Sequence, residues 1–379
     1  MRILLLGEYS RLHNSLKEGL LLNDHEVVLV GNGDGFKNYP SDISIRAVWC
    51  ETKLGKLVQQ SLYRLFKFDI AQLEHAIRFY KVLPHLQGFD VVQLINEKPI
   101  QTIPFLELWF LKKIVAQNQT LFVLASGVDY LSVQFLMDKK ITKSIMQPYF
   151  DNPKLKKEYR YILDYTSKSN AQIHEYVYQN CRGYIASDID YVLPLTGNPK
   201  FLGMIPNPVN CEHLAYQELD FEGKIVLFLG INQWNYHQKG IPYFEKALAQ
   251  IQAQYGERVE IHIAQNIPYD QYISLYNKAH IVLDQVYAYD QGYNALEAMA
   301  KGKVVFTGAE TEFEAHYQLA HPVAINAKPD VDYLVHHLSY LIDNPQQIKM
   351  ISQQAREFIL REHHYKHIAE AYLTTWNRN

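Results

Sequence analysis

Only three cysteines (Cys50, Cys181, Cys211) occur in 379 residues, too few and too scattered for a disulfide framework or a zinc site. A reducing, cytoplasmic setting is expected. No apolar run approaches the roughly 18 residues that a bilayer span requires. The start, Met1-Arg-Ile-Leu-Leu-Leu-Gly7, resembles that of a signal peptide. Its apolar run is shorter than the about 7–15 residues of such a segment and has no small-residue cleavage site, so a first β-strand is expected. The chain has no Walker A loop, no G-x-S-x-G elbow and no G-x-G-x-x-G fingerprint. It also lacks a Cys–His nucleophile signature and any nucleic-acid-binding module. These absences argue against P-loop, α/β-hydrolase, nicotinamide, flavin and cysteine-nucleophile enzymes, and against a nucleic-acid partner.

What is present is ordinary for a globular protein, with 48% hydrophobic and 20% charged residues. The length predicts two domains, each able to bury a core. The net charge of −3 is unevenly spread. Residues 1–205 carry 24 Lys/Arg against 20 Asp/Glu (net +4), and residues 206–379 carry 13 against 20 (net −7). The excess of base gathers around 53–81 and 139–160. Two readings of it stand: a solvated surface, or a face for an anionic lipid leaflet or lipid-phosphate acceptor.

The first half opens with a buried-strand pattern, Ile3–Leu6, and a turn from Gly7. Leu12, Leu16, Leu20 and Leu21 then recur at helical spacing, and His25–Val30 forms a second strand. This β-α-β opening predicts a parallel sheet. Residues 53–87 read as helical. Phe89–Ile95 and Thr120–Ala125 read as strands, with Asn96-Glu97 and Ser126-Gly-Val-Asp129 at their carboxyl ends. Polar groups there face the ligand crevice of such a sheet, so Asn96 and Asp129 are candidates to hold an acceptor hydroxyl. Asp129 reads equally well as a helix N-cap. Asp188 and Asp190 form an Asp-x-Asp pattern, too short to establish a metal site. Ile205-Pro-Asn-Pro208 reads as a rigid linker.

In the second half, Lys224–Gly230 repeats the strand-then-glycine pattern. Lys239-Gly240 follows a loop containing Asn232, with a helix from Pro242. Val259–Ala264 and Ala279–Val286 read as strands, and helices are expected at 331–343 and 346–361. A final helix carries Ile368, Ala371, Tyr372 and Trp376 on one face, and Glu362–His367 reads as surface. The most informative stretch is 287–306. A polar turn, Asp290-Gln-Gly292, opens a helix Tyr293–Lys301 that stops at Gly302, before Val304-Val-Phe306 begins another strand. The unpaired N–H groups of Tyr293, Asn294 and Ala295 and the helix dipole make an anion site there.

Gly292-Tyr-Asn-Ala-Leu-Glu297-Ala-Met-Ala-Lys-Gly302-Lys-Val-Val resembles the E-x-F-G-x-x-x-x-E-A-M-A-x-G-x-P-V-V signature of retaining glycosyltransferase family 4, in the GT-B group. Leu227-Phe-Leu-Gly230 with Lys239-Gly240, the Gly7 turn, Phe89-Asp-Val-Val and Ile205-Pro-Asn-Pro-Val209 also resemble that family. The resemblance implies an α/β GT-B fold of two Rossmann-like domains facing across a cleft. Residues 1–205 would form the acceptor domain and 206–360 the nucleotide-sugar domain, with a helix at 361–379 returning to the first. Three positions depart from the family. Tyr289 stands where the first of two glutamates is expected, with Asp290 beside it. No arginine lies between Gly230 and Lys239, and the mid-domain histidine is absent.

The resemblance implies a metal-independent hexosyltransferase (EC 2.4 type) without a cofactor. It would move sugar with retention from a nucleotide-diphosphate donor to a glycan or lipid-linked acceptor in cell-surface polysaccharide synthesis. Glu297 would accept hydrogen bonds from the ribose hydroxyls, and Lys239 would neutralise the departing diphosphate. Asp290 and Gln291 would hold sugar hydroxyls. Gly7, Gly230, Asn232, Gly292, Tyr293, Asn294 and Ala295 would line the donor. Lys239, Asp290 and Asp129 are the catalytic candidates. The basic half adds a peripheral contact at the inner face of the membrane. Two alternatives remain: a catalytically degenerate sugar-nucleotide or glycan-binding protein, and a sugar-nucleotide epimerase on the same fold.

Overall fold

The computed structural model describes residues 1–35, 38–221 and 223–379. The chain divides into two compact units. Unit 1 holds Met1–Phe135, Tyr161–Pro208 and Tyr365–Asn379, and unit 2 holds Leu136–Arg160 and Val209–His364.

Unit 1 is built on a parallel sheet of seven strands: β1 (Arg2–Leu6), β2 (Glu26–Gly31), β3 (Ile43–Ser44), β4 (Val91–Leu94), β5 (Thr120–Ala125), β6 (Gly183–Ala186) and β7 (Phe201–Met204). Their order is β3-β2-β1-β4-β5-β6-β7. Ile3, Leu4, Leu5 and Leu6 are all fully buried, as a strand covered on both faces requires. Helices α1 (Leu12–Leu21), α2 (Lys53–Phe66), α3 (Ile70–Val82) and α4 (Pro104–Gln117) lie in unit 1, and α5 (Tyr130–Met137) begins there; α6 (Gln147–Asp151) belongs to unit 2, and α7 (Arg160–Leu163), which starts at the boundary, leads back to α8 (Lys168–Asn180) and α9 (Ile189–Leu195) of unit 1.

The stretch 53–87, expected to be helical throughout, is two helices and a short 3-10 turn. Lys67 takes a left-handed conformation (φ 55°) that ends α2. Asp69 then accepts a hydrogen bond from the Ala71 amide and caps α3.

Unit 2 carries five parallel strands, β8 (Ile225–Ile231), β9 (Val259–Gln265), β10 (Ile281–Leu283), β11 (Val304–Thr307) and β12 (Ile325–Asn326), in the order β12-β11-β10-β8-β9. Its helices are α10 (Ile241–Tyr255), α11 (Tyr269–Lys278), α12 (Tyr293–Ala300), α13 (Thr311–Tyr317), α14 (Val331–Asp343) and α15 (Pro345–Glu362). Lys143 joins the 136–160 segment to this unit: its Nζ donates to Glu310 Oε1 (2.7 Å) and Asn326 Oδ1 (2.8 Å). That segment is remote in sequence from the strands it serves, so it read as part of the first domain.

The last helix, α16 (Tyr365–Arg378), packs on α1 in unit 1. Gly19 makes this possible, because a Cβ there would lie 2.5 Å from the Tyr365 carbonyl oxygen. Trp376 Nε1 donates to Gln93 Oε1 of β4 at 3.1 Å, satisfying two buried polar groups together. The buried face is Tyr365, Ile368, Ala369, Tyr372 and Trp376; Ala371 is only half-buried. His363 and Tyr365, expected at the surface, are buried. The His363 carbonyl accepts from the Val209 amide at 2.7 Å, which draws that stretch inward. No helix among the described residues is long and apolar enough to cross a membrane.

Candidate active site

An open parallel sheet takes ligands beyond the carboxyl ends of its strands, where the strand order reverses. In unit 2 that point is β8, between β9 and β10. An acid, a base and a hydroxyl are gathered near it. Lys239 Nζ lies 2.6 Å from Asp284 Oδ1, and Asp284 Oδ2 accepts from Thr307 Oγ1 at 3.1 Å. Asp284 directly follows β10, Thr307 ends β11, and Lys239 directly precedes Gly240, which caps α10. Gly240 has φ +68°, and a Cβ on it would lie 2.2 Å from Val286 Cγ2. The Val286 amide donates to the Lys239 carbonyl at 3.0 Å. Only glycine fits this contact, and it fixes where the lysine side chain starts.

The turn before α12 is held from within. Asp290 and Gln291 are buried. Asp290 Oδ1 accepts from the Gln291 amide (2.7 Å), and Gln291 Nε2 donates to the Gly308 carbonyl (2.7 Å). A Cβ on Gly308 would lie 2.4 Å from the Asp290 carbonyl oxygen, so the 288–290 backbone sits flush against the end of β11. Gln291 Oε1 is buried and accepts no hydrogen bond, an orphaned acceptor beside the start of α12. Gly292 caps that helix in an extended conformation. Its carbonyl accepts from the Ala295 and Leu296 amides, so Ala295, expected among the anion-facing donors, is already engaged. Asn294 is exposed in the same turn, and Glu297 is half-buried one turn on. Glu297 stands four residues before Lys301 and offsets part of the burial that lowers the lysine's proton affinity.

Gly230 and Asn232, expected to line the donor, stand at the end of β8. Gly230 is no turn. It lies inside β8, paired with Ala264, and a Cβ there would meet Tyr272 Oη at 2.8 Å. The chain turns at Asn232, whose exposed side chain accepts from the Trp234 amide at 3.1 Å.

In unit 1 the order reverses between β1 and β4. Gly7, at the end of β1, has φ +89°, and a Cβ on it would lie 2.2 Å from Ile95 Cγ2. Glu8 next to it is buried: Oε2 accepts from the Asn14 amide (2.9 Å) and Asn14 Nδ2 (2.7 Å), while Oε1 has no partner. Burial pushes its pKa up to about 8. Burial likewise pulls His13, whose Nδ1 bonds the Gly7 carbonyl at 2.7 Å, down to about 4.

Asp129 Oδ1 accepts from the Ser132 amide at 2.7 Å, the geometry of an N-cap on α5. Burial, and then the neighbouring Glu97 charge, raise its pKa to about 6. Asn96 donates to Tyr9 Oη and to the Val128 carbonyl, both at 3.3 Å. Glu97 organises the rest: Oε1 receives His174 Nδ1 (2.6 Å) and Tyr184 Oη (2.8 Å), and the Tyr130 ring stacks on His174 at 4.5 Å.

Residues 232–374 match a family model described as "Glycosyl transferase-like". A comparison with curated protein sequences finds no match. Among solved structures, the chain is similar to sucrose-phosphate synthase from Thermosynechococcus elongatus, with TM-score 0.63, 13% identity, and 100% of this chain and 99% of that one covered. It is similar to Anabaena HepE in complex with UDP and glucose, with TM-score 0.59, 13% identity and 100% of each chain covered. It is also similar to the UDP-GlcNAc 2-epimerase from Neisseria meningitidis, with TM-score 0.52, 14% identity and 100% of each chain covered.

The fold is GT-B.

On this GT-B fold, with its glycosyl transferase-like domain at 232–374, the residues picked from sequence fall into two groups. Lys239, Asp290, Gln291, Gly292 and the start of α12 lie together around the carboxyl ends of β10 and β11 in unit 2. Gly7 and Asp129 lie at the carboxyl ends of β1 and β5 in unit 1. Sequence reasoning missed Asp284, Thr307 and His174. Asp284 carried a usable signal: a polar residue just after the apolar run Ile281-Val-Leu283. His174 carried none, because it lies mid-helix and meets Glu97 only through folding.

Proposed function

We propose that this protein is a glycosyltransferase that moves a hexosyl unit from a nucleotide-diphosphate sugar to a glycan or lipid-linked acceptor, with retention. It would work in cell-surface polysaccharide synthesis, in the cytoplasm at the inner face of the membrane. The observation that carries this reading is the Lys239–Asp284 ion pair beside the α12 turn at the switch point of unit 2. HepE, solved with UDP-glucose, supports a uridine donor.

A diphosphate at this turn meets the positive end of the α12 dipole. Lys239 has three N–H donors, of which one is held by Asp284. Another reaches the leaving-group oxygen as charge grows on it, the moment at which a fixed cation lowers the barrier. Because Lys239 supplies this charge, activity is expected to survive chelation of divalent metals. Glu297 accepts the ribose hydroxyls. Asp290 and Gln291 shape the sugar subsite, Gln291 Oε1 being the acceptor that awaits a donor. Asp129 holds the acceptor hydroxyl. The leaving phosphate itself takes the proton, as the resemblance to retaining family 4 implies, while Asp284 is engaged with Lys239 and Thr307.

The decisive assay is release of nucleoside diphosphate from UDP-, GDP- and ADP-sugars, with Glu297→Ala and Lys239→Ala as controls. Unchanged rates in both variants would sink the proposal. A second reading is a sugar-nucleotide-binding protein without turnover. It is favoured by Tyr289 at the position of a carboxylate and by the inward bonding of Asp290. It predicts saturable calorimetric binding with no product. An epimerase, the activity of one structural neighbour, predicts interconversion of sugar epimers without an acceptor.

A further inference from the structure

Helix α2 is a 14-residue element of which only Gly55 is buried. Short helices owe most of their stability to packing an apolar face, yet α2 leaves its apolar face unpacked. Leu54, Leu57, Leu65 and Phe66 are 62–75% exposed, and Leu54, Leu57 and Leu65 share one side at the i, i+3, i+11 spacing. No residue of α2 is acidic, and Lys53, Lys56, Arg64 and the following Lys67 are exposed along it.

The apolar surface continues beyond the helix. Gly55 lies against the backbone of Trp49, where a Cβ would come 2.0 Å from its carbonyl oxygen. Trp49 lines a groove floored by Leu73 and Ile77 of α3. The same two residues line a second groove, reaching Tyr80, Phe105 and Trp109 across α3 and α4. Phe105 is 69% exposed, and the Tyr80 and Trp109 rings lie 6.2 Å apart. Lys81, Lys112 and Lys113 border this part and are exposed.

The charges single out one occupant. Residues 53–81 contain six Lys/Arg and two Asp/Glu. Both acids are turned to the protein: Asp69 caps α3, while Glu74 accepts from the Trp49 and Cys50 amides and pairs with Arg78. What remains outward is aliphatic and aromatic surface edged by uncompensated base. A second copy meeting this face about a twofold axis would set the same basic edge against itself. An anionic bilayer accepts both components, with lipid headgroups against Lys and Arg and the interfacial region against Leu, Phe, Tyr and Trp.

We infer that α2 and the adjoining α3–α4 grooves form a membrane-docking face, with α2 lying in the plane of an anionic bilayer and Leu54, Leu57, Leu65 and Phe66 inserted. The inference rests on the surface of unit 1 and is independent of the donor site.

The test is vesicle flotation of the full chain. Vesicles of phosphatidylcholine alone are compared with vesicles containing phosphatidylglycerol, using wild type, Leu57→Asp/Phe66→Asp and Lys53→Gln/Lys56→Gln. Wild type should float with the anionic vesicles only, with a blue-shifted tryptophan emission. The apolar double variant should lower the partition coefficient by about tenfold or more at low salt. The lysine variant should weaken binding in proportion to its lost charge and steepen no salt dependence. These side chains are exposed, so unchanged circular dichroism and an unchanged UDP thermal shift show that the fold and donor site are intact. Failure of UDP to bind any form therefore counts against the transferase reading alone. Absence of flotation, flotation indifferent to Leu57→Asp/Phe66→Asp, or a concentration-dependent dimer abolished by those substitutions overturns the inference.

Discussion

Lys239 and Asp284, 45 residues apart in sequence, meet at 2.6 Å because each marks the carboxyl-terminal side of the same sheet. The aspartate is also bonded to Thr307, so it holds the ammonium group in one direction. Lys239→Ala should reduce turnover by about 10²–10³-fold, the usual loss when a preorganised group aimed at developing charge is removed. Asp284→Asn should keep nucleotide binding and lower turnover less, because the lysine stays charged but loses its anchor. A steady-state comparison of kcat and KM for the two variants checks this ordering.

On the proposed reading Glu297 serves binding, not chemistry. Glu297→Gln should raise the Kd for the nucleoside diphosphate by roughly 10–100-fold, the worth of one or two charge-assisted hydrogen bonds. Its effect on turnover at saturating donor should be small. Titration calorimetry with UDP separates the two.

The buried Glu8 gives a pH signature. Its pKa is raised from 4.5 to about 8, so the folded state favours the protonated acid. The stability it contributes is complete below about pH 4.5 and is lost as pH rises toward 8. Glu8→Gln should remove that slope and stabilise the protein by roughly 1–3 kcal/mol near pH 8. His13 acts at the other end. Its pKa is lowered to about 4, so its contribution is complete above the ordinary histidine range and is lost as pH falls toward 4. Thermal melts of wild type and Glu8→Gln across this range resolve the two slopes.

Gly19 and Trp376 tie α16 to unit 1. Gly19→Leu would force a side chain into the Tyr365 carbonyl, and Trp376→Ala should cost about 3–5 kcal/mol through the cavity it leaves. Hydrogen exchange should speed up in β1, β4 and α1 while β8 and β10 keep their protection. Uniform loss across both sheets would count against this local account.

The readability of this chain follows the range of its interactions. Alternation of apolar runs with helical spacing placed β1, β2, β4, β5, β8, β9, α14 and α15 closely, because local burial patterns decide them, whereas the short edge strands β3, β7 and β12 left no run to read. The Gly292–Gly302 segment was readable because a helix start and stop are written in adjacent residues. Gly230 misled, since a glycine after an apolar run looks like a turn, whereas here it makes room for the Tyr272 ring. Lys143 and His174 could not be read at all. Each depends on a partner supplied by a distant part of the chain: Glu310 and Asn326 for the first, Glu97 for the second.

The placing of α16 also sets an order of assembly. The chain leaves unit 1 for the last time at Pro208 and returns to it only at Tyr365. During synthesis, unit 2 has all of its residues as soon as His364 emerges, and the Val209–His363 hydrogen bond can then close its base. Unit 1 is translated first yet completed last. Until Trp376 reaches Gln93, the face of α1 that receives α16 stays open, a period in which a chaperone or a protease would find it.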